Sequence, residues 1–187
     1  NDATDEEKAE ARKLVEKAKI EAKSNITNSD TEREVNGAKT NGLEKINNIQ
    51  PSTQTKTNAK QEINDKAQEQ LIQINNTPDA TEEEKQEATN RVNAGLAQAI
   101  QNINNAHSTQ EVNESKTNSI ATIKSVQPNV IKKPTAINSL TQEANNQKTL
   151  IGNDGNATDD EKEAAKQLVT QKLNEQIQKI HESTQDN

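Results

Sequence analysis

Acidic residues cluster at three places in the chain, where they could act as paired catalytic carboxylates or bind a hard cation. The clusters are Glu6-Glu7, Glu82-Glu83-Glu84 and Asp159-Asp160-Glu161. Each lies between an alanine–threonine pair and a lysine, and in the first copy Asp5 separates the threonine from Glu6. A threonine followed three residues later by glutamate is typical of a capping box, in which each side chain hydrogen-bonds the other residue's backbone N–H at a helix start. Because every copy has this arrangement, helix capping explains the clusters better than catalysis or metal binding.

The capping pattern predicts five helix starts. Clustered carboxylates suit such positions because the first turn is the positive end of the helix dipole. The cap residue and its glutamate are Thr4 and Glu7, Thr31 and Glu34, Thr81 and Glu84, Ser108 and Glu111, and Thr158 and Glu161. We interpret these ten residues as structural helix caps, and we expect no catalytic, cofactor-binding or metal-binding residues in the chain.

Two other groups of residues could bind ions or transfer protons. The segment 153–156 and the following Asp159-Asp160 gather oxygen ligands around glycine, but they lack the spacing of an EF-hand, and the second copy has no equivalent glycines. His107 and His181 are far apart in sequence, and neither has a nucleophile or a second histidine at a useful spacing. We interpret both histidines as solvent-exposed turn residues and expect no enzyme activity.

The capping block recurs every 77 residues, and other landmarks keep the same interval. Matching segments are Val35-Asn36 with Val112-Asn113 and Ile49-Gln50-Pro51 with Val126-Gln127-Pro128. The chain therefore contains two copies of one unit and the beginning of a third, at residues 1–77, 78–154 and 155–187. A regular repeat of this length is typical of an array whose function depends on repetition rather than on one pocket.

Each unit is predicted to contain three amphipathic helices. The first begins at the capping block, and the second ends before Pro51 or Pro128, because proline disfavours a helical residue before it. The third begins near Lys56 or Thr57, where the second copy has Pro134. Aliphatic residues recur at helical intervals and define one face of each helix. In the first copy these residues are Ala11, Val15, Ala22 and Ile26, then Val35, Leu43, Ile46 and Ile49, then Ala59, Ile63, Ala67, Leu71 and Ile74.

The predicted fold is all-α, with tandem antiparallel three-helix bundles that form an elongated rod. The phase of the bundles stays open. One division ends each unit at the turns after the third helix, so that a unit holds its own three helices. The other division ends each unit at the connections Gln50–Lys56 and Gln127–Lys133, so that a third helix packs with the first two helices of the next copy.

Two glycines, Gly37 and Gly42, lie inside the predicted second helix, where the second copy has Glu114 and Ser119. Glycine lowers helix stability by about 1 kcal/mol relative to alanine. The glycines therefore mark either tolerated weak points or a place where two helices approach closely, and they form no phosphate-binding loop.

Composition excludes several classes of function. The chain has no Phe, Tyr, Trp, Met or Cys, so its core must be built from smaller aliphatic residues, and disulfide scaffolds and cysteine-ligated metals are excluded. Disorder is the alternative, but the helical spacing of the aliphatic residues argues against it. A net charge of −7 without aromatic residues argues against nucleic acid, and no stretch approaches the roughly 18 apolar residues of a membrane helix.

The capping block, the stretch from Asn102 to Ala106, the spaced aliphatic residues and the closing Ile/Val-Gln-Pro together resemble a known family. The family comprises the repeated "domain of unknown function" modules in the stalks of large staphylococcal cell-wall-anchored surface proteins, which are linked with biofilm formation, cell aggregation and, in one case, methicillin resistance. The resemblance covers the whole chain. It implies a secreted, wall-attached rod that carries an adhesive N-terminal region, and it brings no catalytic or cofactor residues.

The resulting expectation is a non-enzymatic stalk segment of an extracellular, cell-wall-anchored protein, with the signal and anchor outside this segment. Its partners would be neighbouring repeats of the same chain, with no cofactor, nucleic acid or membrane, and the chain would be monomeric. The alternative is a low-affinity multivalent adhesin that binds host plasma or matrix proteins or like rods. The absence of aromatic residues and the presence of only three arginines count against that alternative, because tight interfaces depend on such anchors.

Overall fold

The computed structural model describes residues 2–185, which form seven α-helices and no β-strand. The helices are α1 (Asp5–Thr27), α2 (Glu32–Asn47), α3 (Gln54–Asn75), α4 (Glu82–Asn105), α5 (Thr109–Lys124), α6 (Lys132–Gly152) and α7 (Asp159–Glu182). The prediction of an all-α fold is confirmed. The first-type helices α1, α4 and α7 begin at equivalent positions of the 77-residue repeat, and so do the second-type helices α2 and α5.

The third-type helices α3 and α6 begin earlier than predicted. They start at Gln54 and Lys132, so Pro134 is the third residue of α6 and not its first. The first N–H groups of a helix have no acceptor within the helix and need one from elsewhere. The carboxylate of Glu84 accepts hydrogen bonds from the N–H groups of Ile131 and Lys132, which allows α6 to begin before the proline.

The chain divides into two compact units. The first unit comprises the residues up to Gln68 together with Ala94–Lys124, and the second comprises Glu69–Asn93 together with the residues from Ser125 onward. Helices α3 and α4 therefore contribute residues to both units. Buried aliphatic side chains of α3, α4 and α5 include Ala59, Ile63, Ala67, Ile74, Ala88, Val92, Ala99, Ile103, Val112 and Ile123.

In the first unit, α5 packs against both α3 and α4. The Nζ atom of Lys116 on α5 lies 2.8 Å from Oε2 of Glu62 on α3. On the other side, a Cβ atom added to Gly95 of α4 would lie 3.4 Å from Cγ1 of Ile123 of α5. Helix α5 is therefore held by an ion pair on one side and by close aliphatic packing on the other.

The pairing of α1 with α2 explains one of the two helix glycines. A Cβ atom added to Gly42 would lie only 2.5 Å from Cβ of Ala22, so the two helices approach too closely for any larger residue. A Cβ atom added to Gly37 would have no atom of another residue within 4 Å, outside the helix backbone and its chain neighbours. The prediction that Leu43 faces the core is wrong, because its side chain is 52% exposed and Gly42 occupies the buried position beside it.

Candidate functional site

The predicted capping residues all lie at helix starts. In α1, the hydroxyl of Thr4 accepts a hydrogen bond from the N–H of Glu7 at 3.3 Å, and Oε2 of Glu7 accepts one from the N–H of Thr4 at 2.8 Å. The same reciprocal bonds join Thr31 with Glu34, Thr81 with Glu84, Ser108 with Glu111, and Thr158 with Glu161. Residues three apart thus satisfy two N–H groups at each of these starts.

The carboxylate of Glu7 also binds the start of a second helix. Its Oε1 atom accepts hydrogen bonds from the N–H of Thr55 at 3.0 Å and from the Thr55 hydroxyl at 2.9 Å. Thr55 lies in the first turn of α3. One negative charge therefore lies at the positive ends of two helix dipoles, α1 and α3, and stabilises both.

Glu84 repeats this arrangement 77 residues later. Its Oε2 atom accepts a hydrogen bond from the N–H of Thr81 at 3.0 Å. Its Oε1 atom accepts hydrogen bonds from the N–H groups of Ile131 at 2.8 Å and Lys132 at 3.0 Å, where α6 begins. The two glutamates thus have the same two acceptor roles in two copies of the repeat.

Two buried lysines, Lys56 and Lys133, provide the opposite charge. The side chain of Lys56 is 2% exposed, and its Nζ donates to the carbonyl of Asn104 at 2.8 Å, in the last turn of α4. Lys133 is 7% exposed, and its Nζ donates to the carbonyl of His181 at 2.7 Å, in the last turn of α7. A cation at a helix C-terminus interacts favourably with the helix dipole. It can also donate to the last carbonyl groups, which accept no hydrogen bond from within the helix.

A backbone hydrogen bond completes each set of contacts. The N–H of Asp5 donates to the carbonyl of His107 at 2.8 Å, and the N–H of Glu82 donates to the carbonyl of Thr184 at 2.7 Å. We call these two sets of contacts the first clasp and the second clasp. The first clasp comprises Thr4, Asp5, Glu7, Thr55, Lys56, Asn104 and His107, and the second comprises Thr81, Glu82, Glu84, Ile131, Lys132, Lys133, His181 and Thr184. The first clasp lies within the first unit, and the second lies within the second unit.

The two histidines have different positions. The side chain of His107 is exposed, as predicted, in the short connection between α4 and α5, and its carbonyl belongs to the first clasp. His181 is not a turn residue, because α7 extends to Glu182. Its Nδ1 atom lies 2.6 Å from Oδ1 of Asp79. Asp79 has a φ angle of 58°, a left-handed conformation that aspartate tolerates better than most residues.

Hydrogen bonding lowers the pKa of Glu7 in the first clasp and of several other carboxylates at helix starts. Burial raises the pKa of Glu7, but hydrogen bonds from Thr4 and Thr55 outweigh it and hold the pKa below its ordinary value. Backbone N–H groups, its own and that of Thr109, lower the pKa of Glu6. Hydrogen bonds from residues at their own helix starts likewise lower the pKa of Glu34, Glu111 and Glu161. These hydrogen bonds favour the ionised form, because a carboxylate accepts from N–H groups more strongly than a protonated carboxyl group does.

The clasps join helix ends through hydrogen bonds. Within residues 2–185, no group of three or more histidine, aspartate or glutamate side chains is placed to hold a metal ion. None of the helices in this part of the chain has the length and apolar character to cross a bilayer. The polar groups of the clasps are directed at backbone N–H and carbonyl groups of other helices, which is a structural arrangement.

Sequence reasoning missed the second role of the glutamates and the whole role of the lysines. The sequence pattern places Lys56 only near a helix start. A lysine in the first turn of a helix opposes the dipole, yet both third-type helices have one at positions 56 and 133. This repeated unfavourable placement was the available signal that each lysine binds a group outside its own helix.

Comparison with known proteins assigns the chain to a family. Three consecutive stretches, residues 1–54, 55–131 and 132–187, match the model of the Domain of Unknown Function (DUF1542). The second and third stretches begin at residues 55 and 132, and helices α3 and α6 begin at Gln54 and Lys132. No curated protein and no solved structure matches the chain. Because the three matches cover its length in tandem, the chain belongs to the DUF1542 repeat family.

Proposed function

We propose that the chain is a non-enzymatic stalk segment of a bacterial cell-wall-anchored surface protein, outside the cell, that holds a distal adhesive region in biofilm formation or cell aggregation. The observation that supports this proposal is the recurrence of the clasp at a 77-residue interval. Glu7 and Glu84 accept hydrogen bonds from equivalent helix starts, and Lys56 and Lys133 donate to equivalent helix ends. A contact repeated with the sequence is what an extensible array requires.

The proposal includes a rod-shaped array of antiparallel three-helix bundles, which the regular repeat of the sequence supports. Each clasp joins the start of a first-type helix to the start of a third-type helix and the end of another first-type helix. A helix of about 20 residues spans roughly 30 Å, so each added bundle should lengthen the molecule by a similar amount. The partners in this proposal are neighbouring repeats, and the chain is a monomer.

Small-angle X-ray scattering of this chain and of longer chains tests the rod. The longer chains carry one or two further copies of residues 55–131, inserted after residue 131 so that the repeat register is kept. We expect the maximum dimension to increase by a constant step of about 30 Å or more per copy. A radius of gyration near 16 Å for the 187-residue chain, as for a compact globule, would contradict the proposal.

Labelling of intact cells with an antibody against this segment tests the surface location, and we expect labelling without permeabilisation. Immobilised chains with added repeats, exposed to plasma and matrix proteins, separate the stalk from the adhesin. Saturable binding that grows steeply with repeat number would support the adhesin instead.

A further inference from the structure

Four apolar residues of α1 and α2 are identical to their equivalents in α4 and α5 but are less buried. In α4 and α5, these residues are 0 to 1% exposed: Val92, Ile103, Val112 and Ile123. In α1 and α2 the equivalent residues are only half-buried: Val15, Ile26, Val35 and Ile46. Since the side chains are the same, the difference in burial must come from what packs against them.

Helix α3 is the element that contacts α4 and α5 and has no counterpart on α1 and α2 in the described residues. Glu62 of α3 pairs with Lys116 of α5. The amide of Gln70, which is 1% exposed, donates to the carbonyl of Val126 just after α5 at 2.7 Å. Lys56 at the start of α3 reaches the end of α4. In each unit, polar contacts thus hold α3 against the first-type helix α4, the second-type helix α5 or the residue that follows α5.

The pair α1 and α2 keeps the polar groups that α3 would need. Lys39 is the equivalent of Lys116 and is exposed on α2. Ile49 is the equivalent of Val126 and follows α2 in the same position. A helix with the sequence of α3 would therefore find a cation for its glutamate and a backbone carbonyl for its glutamine.

We propose that the open face of α1 and α2, formed by Val15, Ile26, Val35 and Ile46, is a docking surface for a third helix with the sequence of α3. The occupant is supplied in the same chain by a repeat placed ahead of residue 1. Its apolar face covers the four residues, its glutamate pairs with Lys39, and its glutamine amide donates to the carbonyl of Ile49. This interaction does not depend on the stalk role.

The occupant comes from the same chain and not from a second copy because the third-type helices of this chain already have partners. Helix α3 contacts α4 and α5, and α6 packs with α7. A second copy would have to release one of these helices in order to cover α1 and α2. A helix joined directly to α1 has a high effective concentration and displaces nothing.

The test uses the full chain with a copy of residues 54–77 joined directly ahead of Asn1, which keeps the register because position 1 is equivalent to position 78. Hydrogen exchange of the α1 and α2 amides should become at least about 10-fold slower than in the unextended chain and approach that of α4 and α5. The matched control carries the same extension with aspartate in place of the copied Ile63 and Ile74. Equal exchange in the extended chain and the control would overturn the proposal.

A charge exchange tests the orientation of the docked helix. In the extended chain, Lys39→Glu should remove part of the protection, and lysine in place of the copied Glu62 should restore it. Failure of the second change to restore protection would refute the proposed pairing. Sedimentation of the unextended chain tests the competing occupant, because a dimer that protects α1 and α2 would assign this face to a second copy and overturn the proposal.

Discussion

Helices α4 and α7 begin with equivalent residues but differ in their surroundings. Thr81 and Glu84 are 1% and 7% exposed, whereas Thr158 and Glu161 are exposed. Both starts have the same reciprocal hydrogen bonds. Only Glu84 also accepts hydrogen bonds from the start of α6. The comparison shows that the cap forms from local sequence alone, whereas the clasp forms only where the start of a third-type helix lies beside it.

The largest difference in stability between the starts of α4 and α7 should appear when the capping glutamate of each, Glu84 or Glu161, is replaced by alanine. Glu84→Ala leaves three backbone N–H groups without their acceptor, at Thr81, Ile131 and Lys132. We expect a loss of about 2 to 4 kcal/mol in the free energy of unfolding, because donors in a partly buried site lose their partners. Urea unfolding followed by far-UV circular dichroism measures this loss.

The matched control is Glu161→Ala, which removes a cap and no clasp. We expect its effect to be less than half that of Glu84→Ala, because the exposed N–H groups of α7 can bind water instead. Equal effects of the two substitutions would show that the clasp adds nothing to the cap, and the comparison would fail.

The next largest effect on stability should come from alanine at Gly42, and alanine at Gly37 should have the opposite effect. Gly42→Ala places a Cβ atom 2.5 Å from Cβ of Ala22, so the helices must move apart, and we expect a loss of about 1 to 3 kcal/mol. Gly37→Ala has open space around it and should increase stability by up to about 1 kcal/mol through helix propensity. Thermal unfolding of the two variants gives the comparison, and a stabilising Gly42→Ala would contradict the close approach of α1 and α2.

A smaller loss should follow from removing the clasp lysine. Lys133→Met keeps most of the side-chain volume but leaves the carbonyl of His181 without its donor. We expect a loss of about 1 to 2 kcal/mol in urea unfolding. Lys124→Met, at an exposed position near the end of α5, serves as the control and should change stability by less than about 0.5 kcal/mol. A neutral Lys133→Met would show that burying the charge costs as much as its hydrogen bond contributes.

The smallest effect should be the dependence of stability on pH. The pKa of Glu7 is lower in the folded chain than in the unfolded chain. Its contribution to stability is therefore complete above the unfolded pKa of about 4.3 and is lost as the pH falls through the folded pKa. Urea midpoints at pH 6 and pH 3.5 should differ less in Glu7→Gln than in the unsubstituted chain. The exposed Glu10→Gln serves as the control, and an equal reduction in both variants would refute a special role for Glu7.

Much of the fold was predictable because its signals are local. The caps at Thr4 and Thr81 and the helix ends ahead of Pro51 and Pro128 follow from residues within a few positions of one another. The buried face of α2 was only partly predictable. Helical spacing indicates which residues share a face, but the close contact that buries Gly42 and exposes Leu43 depends on how α1 lies against α2.

The sequence by itself determined the 77-residue repeat, the helical class and the ten capping residues, because a capping box joins residues only three positions apart. Only the tertiary structure decided which caps become clasps. Thr55 lies 48 residues from Glu7, and Glu6 accepts hydrogen bonds from Thr109 across 103 residues. No periodicity in one helix specifies such a partner, since a carboxylate with one oxygen engaged in its own cap can accept from any helix start that packing brings within reach.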